Sequence, residues 1–451
     1  MMKGKTKIKL TVWQFLSLGF LTAIILGSLL LMLPFATKSG NSTSYINALF
    51  TATSAICVTG LAPYDTATHW TLFGQLVILL LIQTGGLGFM TLVSSIFLIF
   101  KRGMGLYSKN AFMQDAGSGK LNGITKMVKR IVIGTAIFET LGALILMIRF
   151  IPDFGAGNGI YFSIWHSISA FCNAGFDLMG TPGGEFVSLS KYASDPLVCL
   201  TLCALILIGG MGFCVWSDII DCKGNMKKFQ LNTKVVLLVN SVILVFGTVL
   251  FMVFERNSSA YAPFNFGERL IVSIFNATTT RTAGFSTVNL AELSESGYLL
   301  MVIYMFVGGN SGSTAGGIKV NTFTVIIMGM LAVFRGRKDI NIGKKRIDNS
   351  LLSQALAIFA AALMLVMMST IIICALEPQT TFKAVLFECV SALSTTGLSL
   401  SLTPLLSIGS KIILIILMFA GRVGILTLAL ALGAKRTAAE IRRPVDSLYI
   451  G

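Results

Sequence analysis

Long apolar segments, short apolar runs and polar connections alternate along the chain, and the same order recurs four times. Each unit opens with a long apolar segment, at residues 12–34, 127–150, 235–254 and 351–376. A short apolar run of 11 to 13 residues comes next, at residues 45–56, 159–171, 269–279 and 382–393. A second long segment closes each unit, at residues 72–100, 197–220, 298–334 and 410–433. Because a helix needs about 20 apolar residues to cross a bilayer, the long segments predict crossings and the short runs predict re-entrant half-helices.

The four units predict an all-α integral membrane protein in which four tandem helix–pore-loop–helix repeats surround a central pore. Two crossings and one half-helix per repeat give eight transmembrane helices and four re-entrant half-helices. The repeats are expected at residues 1–105, 106–220, 221–335 and 336–451. The first apolar segment is too long for a signal peptide and is expected to remain as an anchor. With 54% of residues hydrophobic and only 12% charged, the composition excludes an ordinary soluble domain.

Most of the positive charge falls in five clusters, which hold 25 of the 35 lysine and arginine residues. They lie at residues 3–9, 101–130, 223–234, 335–346 and 435–443, separated by even numbers of predicted crossings. The positive-inside rule places them, and both termini, on the cytoplasmic side of the cell membrane. The net charge of +16 could indicate nucleic acid, but the basic runs share no soluble domain, so nucleic acid is not expected as a partner. They suit an acidic partner or anionic lipid headgroups instead.

A glycine followed by a bulky apolar residue stands just after each short run, at Gly60, Gly175, Gly284 and Gly397. One such glycine is usually a helix cap or a packing site. Four glycines, one at the equivalent position of every unit, favour a shared role. Non-helical backbone at membrane depth must be buried in protein or line water, so these segments are expected along an aqueous path. The three residues before each glycine include no carboxylate, which leaves backbone carbonyls as cation ligands.

Neutral carbonyls and the negative ends of the half-helices favour a weakly hydrated cation, and potassium fits best. The predicted ion-selectivity filter, with potassium at its backbone carbonyls, consists of Val58, Thr59, Gly60, Asn173, Ala174, Gly175, Thr282, Ala283, Gly284, Thr395, Thr396 and Gly397.

The third unit carries five glycines within ten residues of its second long segment, which makes an unbroken helix unfavourable. A mobile, solvated loop beneath the filter is expected there. The predicted gate consists of Gly308, Gly309, Asn310, Ser311, Gly312, Ser313, Thr314, Ala315, Gly316 and Gly317, together with Arg422. A phosphate-binding loop is the competing interpretation, but the Gly-Lys-Ser/Thr signature is absent.

The first and second units carry shorter glycine clusters, at residues 83–89 and 209–213, for which close helix packing is the favoured interpretation. Arg422 lies in the middle of an apolar segment, where a charge is costly unless it faces water or a partner. It is expected below the filter as a barrier to cations; a snorkelling or ion-paired structural role is the alternative. Glu139 is the one carboxylate deep in a first-type segment and could pair with Arg422 or Lys319.

The segments Thr59-Gly60-Leu61, Asn173-Ala174-Gly175-Phe176, Arg281-Thr282-Ala283-Gly284-Phe285 and Thr395-Thr396-Gly397-Leu398 carry a family resemblance. On these residues the chain resembles the Ktr/Trk/HKT superfamily of potassium transporters, most of all the bacterial Ktr-type (KtrB-like) membrane subunit, over essentially its whole length. The resemblance implies potassium selectivity at the four glycines and an intramembrane gate at residues 308–317. It also implies a homodimer seated on a soluble nucleotide-binding regulatory ring of the KtrA/TrkA type on the cytoplasmic side.

The expected function is gated, channel-like potassium uptake down the electrochemical gradient, without enzymatic activity and without a cofactor in this chain. A membrane potential supplies about 2.3 kcal/mol per charge per 100 mV, so no ATPase motif is needed. Sodium is a possible second ion, either transported or regulatory. Two alternatives stay open: a sodium/potassium-translocating subunit of a cation pump, and a sodium-coupled secondary transporter. The latter would show broken helices in matching positions, whereas strong interruption is expected only in the third unit.

Overall fold

The computed structural model describes residues 11–88, 91, 94, 124–181, 184–337, 339–343 and 345–432. Those residues are mostly helical. In chain order the α-helices are α1 (Val12–Leu31), α2 (Tyr45–Ile56), α3 (Thr66–His69), α4 (Leu72–Leu87), α5 (Ile124–Phe171), α6 (Pro196–Gly210), α7 (Phe213–Asp221), α8 (Leu231–Phe254), α9 (Phe266–Thr279), α10 (Glu295–Phe306), α11 (Val320–Phe334), α12 (Asn349–Leu376), α13 (Phe382–Ser394), α14 (Ile408–Val423) and α15 (Ile425–Leu432).

The predicted order of a long helix, a short helix and a returning segment recurs along the described chain. The short helices α2, α9 and α13 are separate elements of 12, 14 and 13 residues. In the second unit the short helix is the last part of α5, which is interrupted at Gly155, whose φ is +79°, shortly after Pro152. The first and second helices of that unit are therefore joined by a kink, because glycine adopts positive φ at little cost and proline breaks the helical hydrogen-bond ladder.

The returning segments are broken near their middles in more than the third unit. Helices α6 and α7 meet at 89° and helices α14 and α15 at 94°. Gly88 and Gly424 cap the C-terminal ends of α4 and α14, and Gly212 caps the N-terminal end of α7, with φ of +83°, +94° and +97°. The expectation that strong interruption is confined to residues 308–317 is wrong, because a glycine in the left-handed region ends the preceding helix.

Length and composition qualify four helices as membrane spans in the described residues: α1, α5, α8 and α12. Counting each bent pair as one span raises the number to six. The other two predicted crossings are represented by α4, of 16 residues, and by α10 and α11, which flank the glycine-rich loop. Eight crossings therefore stay a prediction.

The all-α expectation also needs a small correction. Strand β1 (Ile340–Ile342) pairs antiparallel with β2 (Lys345–Ile347) in the basic connection between α11 and α12. Strand β1 alternates isoleucine with asparagine, whereas β2 has two basic residues before its isoleucine.

Small residues hold the returning helices against the short helices, as the sequence predicts for Gly85 and Gly209. A β-carbon on Gly85, Gly209 or Gly421 would overlap the carbonyl oxygen of Ile56, Phe171 or Leu393, respectively. Each of these carbonyls lies at the C-terminal end of a short helix. Each packing glycine therefore lets its returning helix lie directly against the C-terminal end of the short helix, where the glycine segment begins.

Substituting Gly85 by alanine is expected to destabilise the protein by about 1–3 kcal/mol, because the methyl group must push the backbone of Ile56 away. Thermal unfolding in detergent should show a lower Tm. The matched control is Gly157→Ala, at a helical position of α5 where a β-carbon would meet nothing within 4 Å. There alanine should leave the Tm unchanged or raise it, and equal Tm shifts for both variants would contradict the packing role of Gly85.

Candidate functional site

The four predicted filter segments share one backbone conformation. Each short helix is followed by a residue in the left-handed region two positions before the glycine. These residues are Val58, Asn173, Thr282 and Thr395, with φ between 52° and 68°. The glycines themselves, Gly60, Gly175, Gly284 and Gly397, have φ from 70° to 96°. A non-glycine residue in this region costs about 1–2 kcal/mol, and such strain clusters at functional sites.

The four glycines lie together in a closed ring. A β-carbon on Gly60 would lie 2.7 Å from the carbonyl oxygen of Ala174, and one on Gly175 would lie 2.8 Å from that of Ala283. A β-carbon on Gly284 would lie 2.5 Å from the oxygen of Thr396, and one on Gly397 would overlap the oxygen of Thr59. Each glycine thus packs against the residue before the glycine of the next unit, and the fourth unit returns to the first.

A serine inside each of two short helices supports the ring from behind. Ser54 Oγ accepts a hydrogen bond from the backbone N–H of Gly60 at 3.0 Å, and Ser391 Oγ accepts the equivalent bond from Gly397 at 3.0 Å. These serines are absent from the predicted site. The signal that could have identified them is the serine or threonine six residues before every glycine: Ser54, Ser169, Thr278 and Ser391.

A cavity of about 430 Å³ lies on one side of the ring, and all four glycines contribute to its wall. Two carboxylates, Asp177 and Glu185, also line it. Burial and the nearby Asp65 carboxylate raise the pKa of Asp177 to about 6, although a hydrogen bond from the N–H of Met179 at 3.1 Å opposes that rise. Negative charge in such a vestibule raises the local concentration of cations.

Rubidium uptake at low ionic strength is expected to fall as the pH on the cavity side decreases from 7 to 5. The carboxylate of Asp177 is charged above a pH of about 6 and neutral below it, so its attraction for cations is lost in that window. Asp177→Asn should show the low-pH rate throughout and a flatter profile. An unchanged profile in this variant would assign the pH dependence to another group.

The predicted gate is a loop that docks on the break between α6 and α7. The Asn310 backbone N–H and Nδ2 both donate to the carbonyl oxygen of Gly210, at 3.2 and 2.9 Å. Phe213 N–H donates to the oxygen of Gly312 at 2.8 Å. Most of the loop is buried and Ser311 is its exposed residue, so the expectation of a solvated loop is corrected.

The end of the loop lies beneath the fourth filter segment. A β-carbon on Gly316 would overlap the side chain of Thr395, and one on Gly317 would lie 3.1 Å from the carbonyl oxygen of Ser394. Gly308 N–H donates to the oxygen of Ile318 at 2.9 Å and closes the neck of the loop. The structure therefore brings the predicted gate and the predicted filter into direct contact.

Arg422 connects the loop to the first unit. Its guanidinium donates to the carbonyl oxygens of Thr314 and Gly85, and to that of Gly86 at 3.4 Å. It follows the packing glycine of α14 just as Gly86 follows Gly85, so the arginine occupies a position that is glycine in the first unit.

Two cationic side chains line an inner cavity of about 340 Å³ next to the loop. They are Arg422 and Lys319, whose Nζ donates to the carbonyl oxygen of Ala315 at 2.8 Å. Glu139, which could have paired with either, accepts two hydrogen bonds from Gln83 Nε2, at 3.0 and 3.2 Å. The positive charges thus face the loop side of the ring, and the vestibule carboxylates lie on the other side.

Several known proteins are similar to this chain over nearly its whole length. A family model described as TrkH, cation transport protein, matches residues 16–438. The chain is 37% identical to the potassium/sodium uptake protein NtpJ of Enterococcus hirae, covering 100% of this chain and 99% of the relative. It is 36% identical to the Ktr system potassium uptake protein B of Bacillus subtilis, covering 98% of both.

The fold is similar to that of a solved structure, the potassium transporter TrkH from Vibrio parahaemolyticus. The TM-score is 0.72 at 18% identity, covering 96% of this chain and 87% of that chain. The matches extend over nearly the entire described chain and include all four glycine segments. This multi-pass membrane protein therefore belongs to the TrkH family of cation transport proteins.

Proposed function

We propose that the chain takes up potassium across the cell membrane by channel-like conduction through the ring formed at Gly60, Gly175, Gly284 and Gly397. The observation that carries the proposal is the closed cyclic order of glycine and carbonyl contacts. Four carbonyl-bearing segments around one axis can replace the hydration shell of a weakly hydrated cation. The names of the relatives, which describe potassium or potassium/sodium uptake, support the same ion.

Buried hydroxyl groups near the ring add to this support. The Oγ1 atoms of Thr59, Thr395 and Thr396 are buried and have no hydrogen-bond partner among the described residues. Buried polar groups normally find a partner, and along a cation pathway an ion or its water would supply one.

Loop residues 308–317 and Arg422 are proposed to form the gate. The loop occupies the space beneath the fourth filter segment, and the guanidinium ties it to the carbonyl of Gly85 in the first unit. Opening would require release of these bonds and of the bonds to Gly210 and Phe213. A positive charge beside the pathway would also repel cations while the loop is in place.

The regulatory partner is proposed to be a soluble nucleotide-binding ring that binds a homodimer of this chain on its cytoplasmic side. The Ktr relatives are named as proteins of a system, which supports a multi-component assembly. The predicted partner contact at Tyr449, Ile450 and Gly451 lies outside the described residues. Sodium is proposed as an accessory ion, in keeping with the potassium/sodium uptake named for NtpJ.

Uptake of ⁸⁶Rb⁺ into proteoliposomes that contain the purified chain tests the proposal. An inside-negative potential should drive the uptake, and a soluble regulatory partner should increase it. Added potassium should inhibit rubidium uptake more strongly than added sodium. Absence of rubidium flux with and without the partner would refute the potassium pathway. Accumulation driven by a sodium gradient at zero potential would instead favour sodium-coupled secondary transport, which the breaks at Gly212 and Gly424 keep as a second candidate.

A further inference from the structure

A side cavity of about 120 Å³ lies between α6 and α8, behind the third filter segment. Its apolar walls include Leu207 and Met211 on one side and Leu237 and Leu244 on the other, and Asn240 and Arg281 supply its polar lining. Ser241, which also lines the cavity, is exposed on the outer surface of α8. Its neighbours on that surface, Val242 and Val245, are 57% and 63% exposed, as expected for a helix that faces lipid.

The polar lining of this cavity is incompletely satisfied. Arg281 is only 5% exposed, yet its Nε has no hydrogen-bond partner among the described residues. The guanidinium makes one long bond, from Nη2 to the carbonyl oxygen of Gly308 at 3.5 Å. The Oδ1 atom of Asn240 is likewise buried without a partner. A buried charge and a buried amide are both unfavourable unless something supplies the missing bonds.

The missing partners define the chemistry of an occupant. It must accept a hydrogen bond from Arg281 Nε, compensate the buried positive charge and present apolar surface to the leucine-lined walls. A carboxylate meets the first two requirements, because beside a guanidinium it is ionised and its oxygens accept hydrogen bonds, whereas a hydroxyl group lacks the negative charge. An alkyl chain suits the walls, and a water molecule beside the head can donate to Asn240 Oδ1. Because the cavity opens at Ser241 on an apolar surface, an amphiphile dissolved in the lipid can reach it sideways. We propose that this side cavity binds the carboxyl head of a single-chain amphiphile of the fatty-acid class.

The position of the cavity gives the occupant access to both functional elements. Arg281 lies three residues before Gly284 of the ring, and its guanidinium bonds to Gly308, the first residue of the loop. A carboxyl group on Arg281 would therefore alter the charge and the hydrogen bonding behind one quarter of the ring. The binding site itself rests on the cavity and does not depend on which ion passes the ring.

Photolabelling of the full chain in proteoliposomes by a diazirine-bearing dodecanoic acid, mapped by mass spectrometry, tests the proposal. Labels should concentrate at residues 206–211 and 237–244. Unlabelled dodecanoic acid should reduce this labelling about tenfold, and dodecanol, which lacks the carboxyl group, should reduce it far less. Ser241→Trp, which fills the mouth, should abolish the labelling, whereas Val245→Trp, on the same exposed surface, should retain it.

Equal competition by dodecanol would overturn the proposal, because it would show that the carboxyl group is not recognised. Equal labelling of the Ser241→Trp and Val245→Trp proteins would also overturn it, because it would show that the label does not enter through the mouth at Ser241. Rubidium uptake measured in the same vesicles reports whether each variant is folded. Absence of rubidium uptake by the unmodified protein would count against the potassium pathway, whereas normal uptake without specific labelling would count against the carboxyl site alone.

Discussion

Substituting Gly397 by alanine is expected to reduce rubidium uptake at least about 100-fold, which corresponds to roughly 2.8 kcal/mol in the barrier. The new methyl group would overlap the carbonyl oxygen of Thr59 and turn it away from the axis of the ring. The φ of +88° at Gly397 adds a cost of about 1–2 kcal/mol for any L-residue. Initial uptake rates in proteoliposomes, with rubidium and sodium compared at equal potential, measure both the loss of flux and any loss of selectivity.

Gly40→Ala is the matched control for this substitution. Gly40 also has a positive φ, of +71°, but a β-carbon there would meet nothing within 4 Å. The backbone cost is therefore shared by the two variants, and the contact with a neighbouring carbonyl is specific to Gly397. Similar uptake and selectivity in the two variants would remove the basis for a filter at the ring.

Substituting Arg422 by alanine is expected to raise rubidium flux about tenfold, which corresponds to a free-energy barrier to conduction that is lower by about 1.4 kcal/mol. The change removes a positive charge from the inner cavity and the bonds that tie the loop carbonyl of Thr314 to that of Gly85. Flux should be measured without a regulatory partner and normalised to the amount of protein in the vesicles. Flux at or below that of the unmodified protein would contradict the gate assignment.

Arg422→Lys separates the two contributions of the arginine. Lysine keeps the charge but lacks the planar fork that lets one guanidinium bond to two carbonyls at once. Rubidium flux as low as in the unmodified protein would show that the positive charge at position 422 forms the barrier to conduction. Flux as high as in Arg422→Ala would instead assign it to the bridge between the loop and the first unit.

The sequence predicted the helical elements well where the apolar runs had clear ends. The first short helix was expected at residues 45–56 and is α2, Tyr45–Ile56. Helix α9 begins at Phe266 instead of residue 269, because Asn265 and Glu268 form a capping box that extends it by one turn. The shared backbone conformation of the four glycine segments agrees with their equal positions in the units.

The breaks at Gly212 and Gly424 were missed for a physical reason. A glycine within an apolar segment can serve close helix packing or a turn, and the two cases differ in the sign of φ, which the sequence does not reveal. Gly209 packs within its helix, whereas Gly212, three residues later, lies in the break and caps the start of α7. The side cavity at Arg281 was likewise beyond prediction, because it depends on how α8 lies against α6.

The cyclic order of the ring has a consequence for how substitutions combine. Each glycine packs against a backbone carbonyl of the next unit. The coupling energy between substitutions in two units should therefore depend on whether those units are neighbours in the ring. In a double-mutant cycle, alanine substitutions at Gly284 and at Gly397, which follows the contacted Thr396 carbonyl directly, should be strongly non-additive. Substitutions at Gly284 and Gly60, which lie in units that do not follow one another, should be nearly additive. The ring therefore has a handedness: a suppressor of damage at one glycine is to be sought in the unit that follows it, rather than in the one that precedes it.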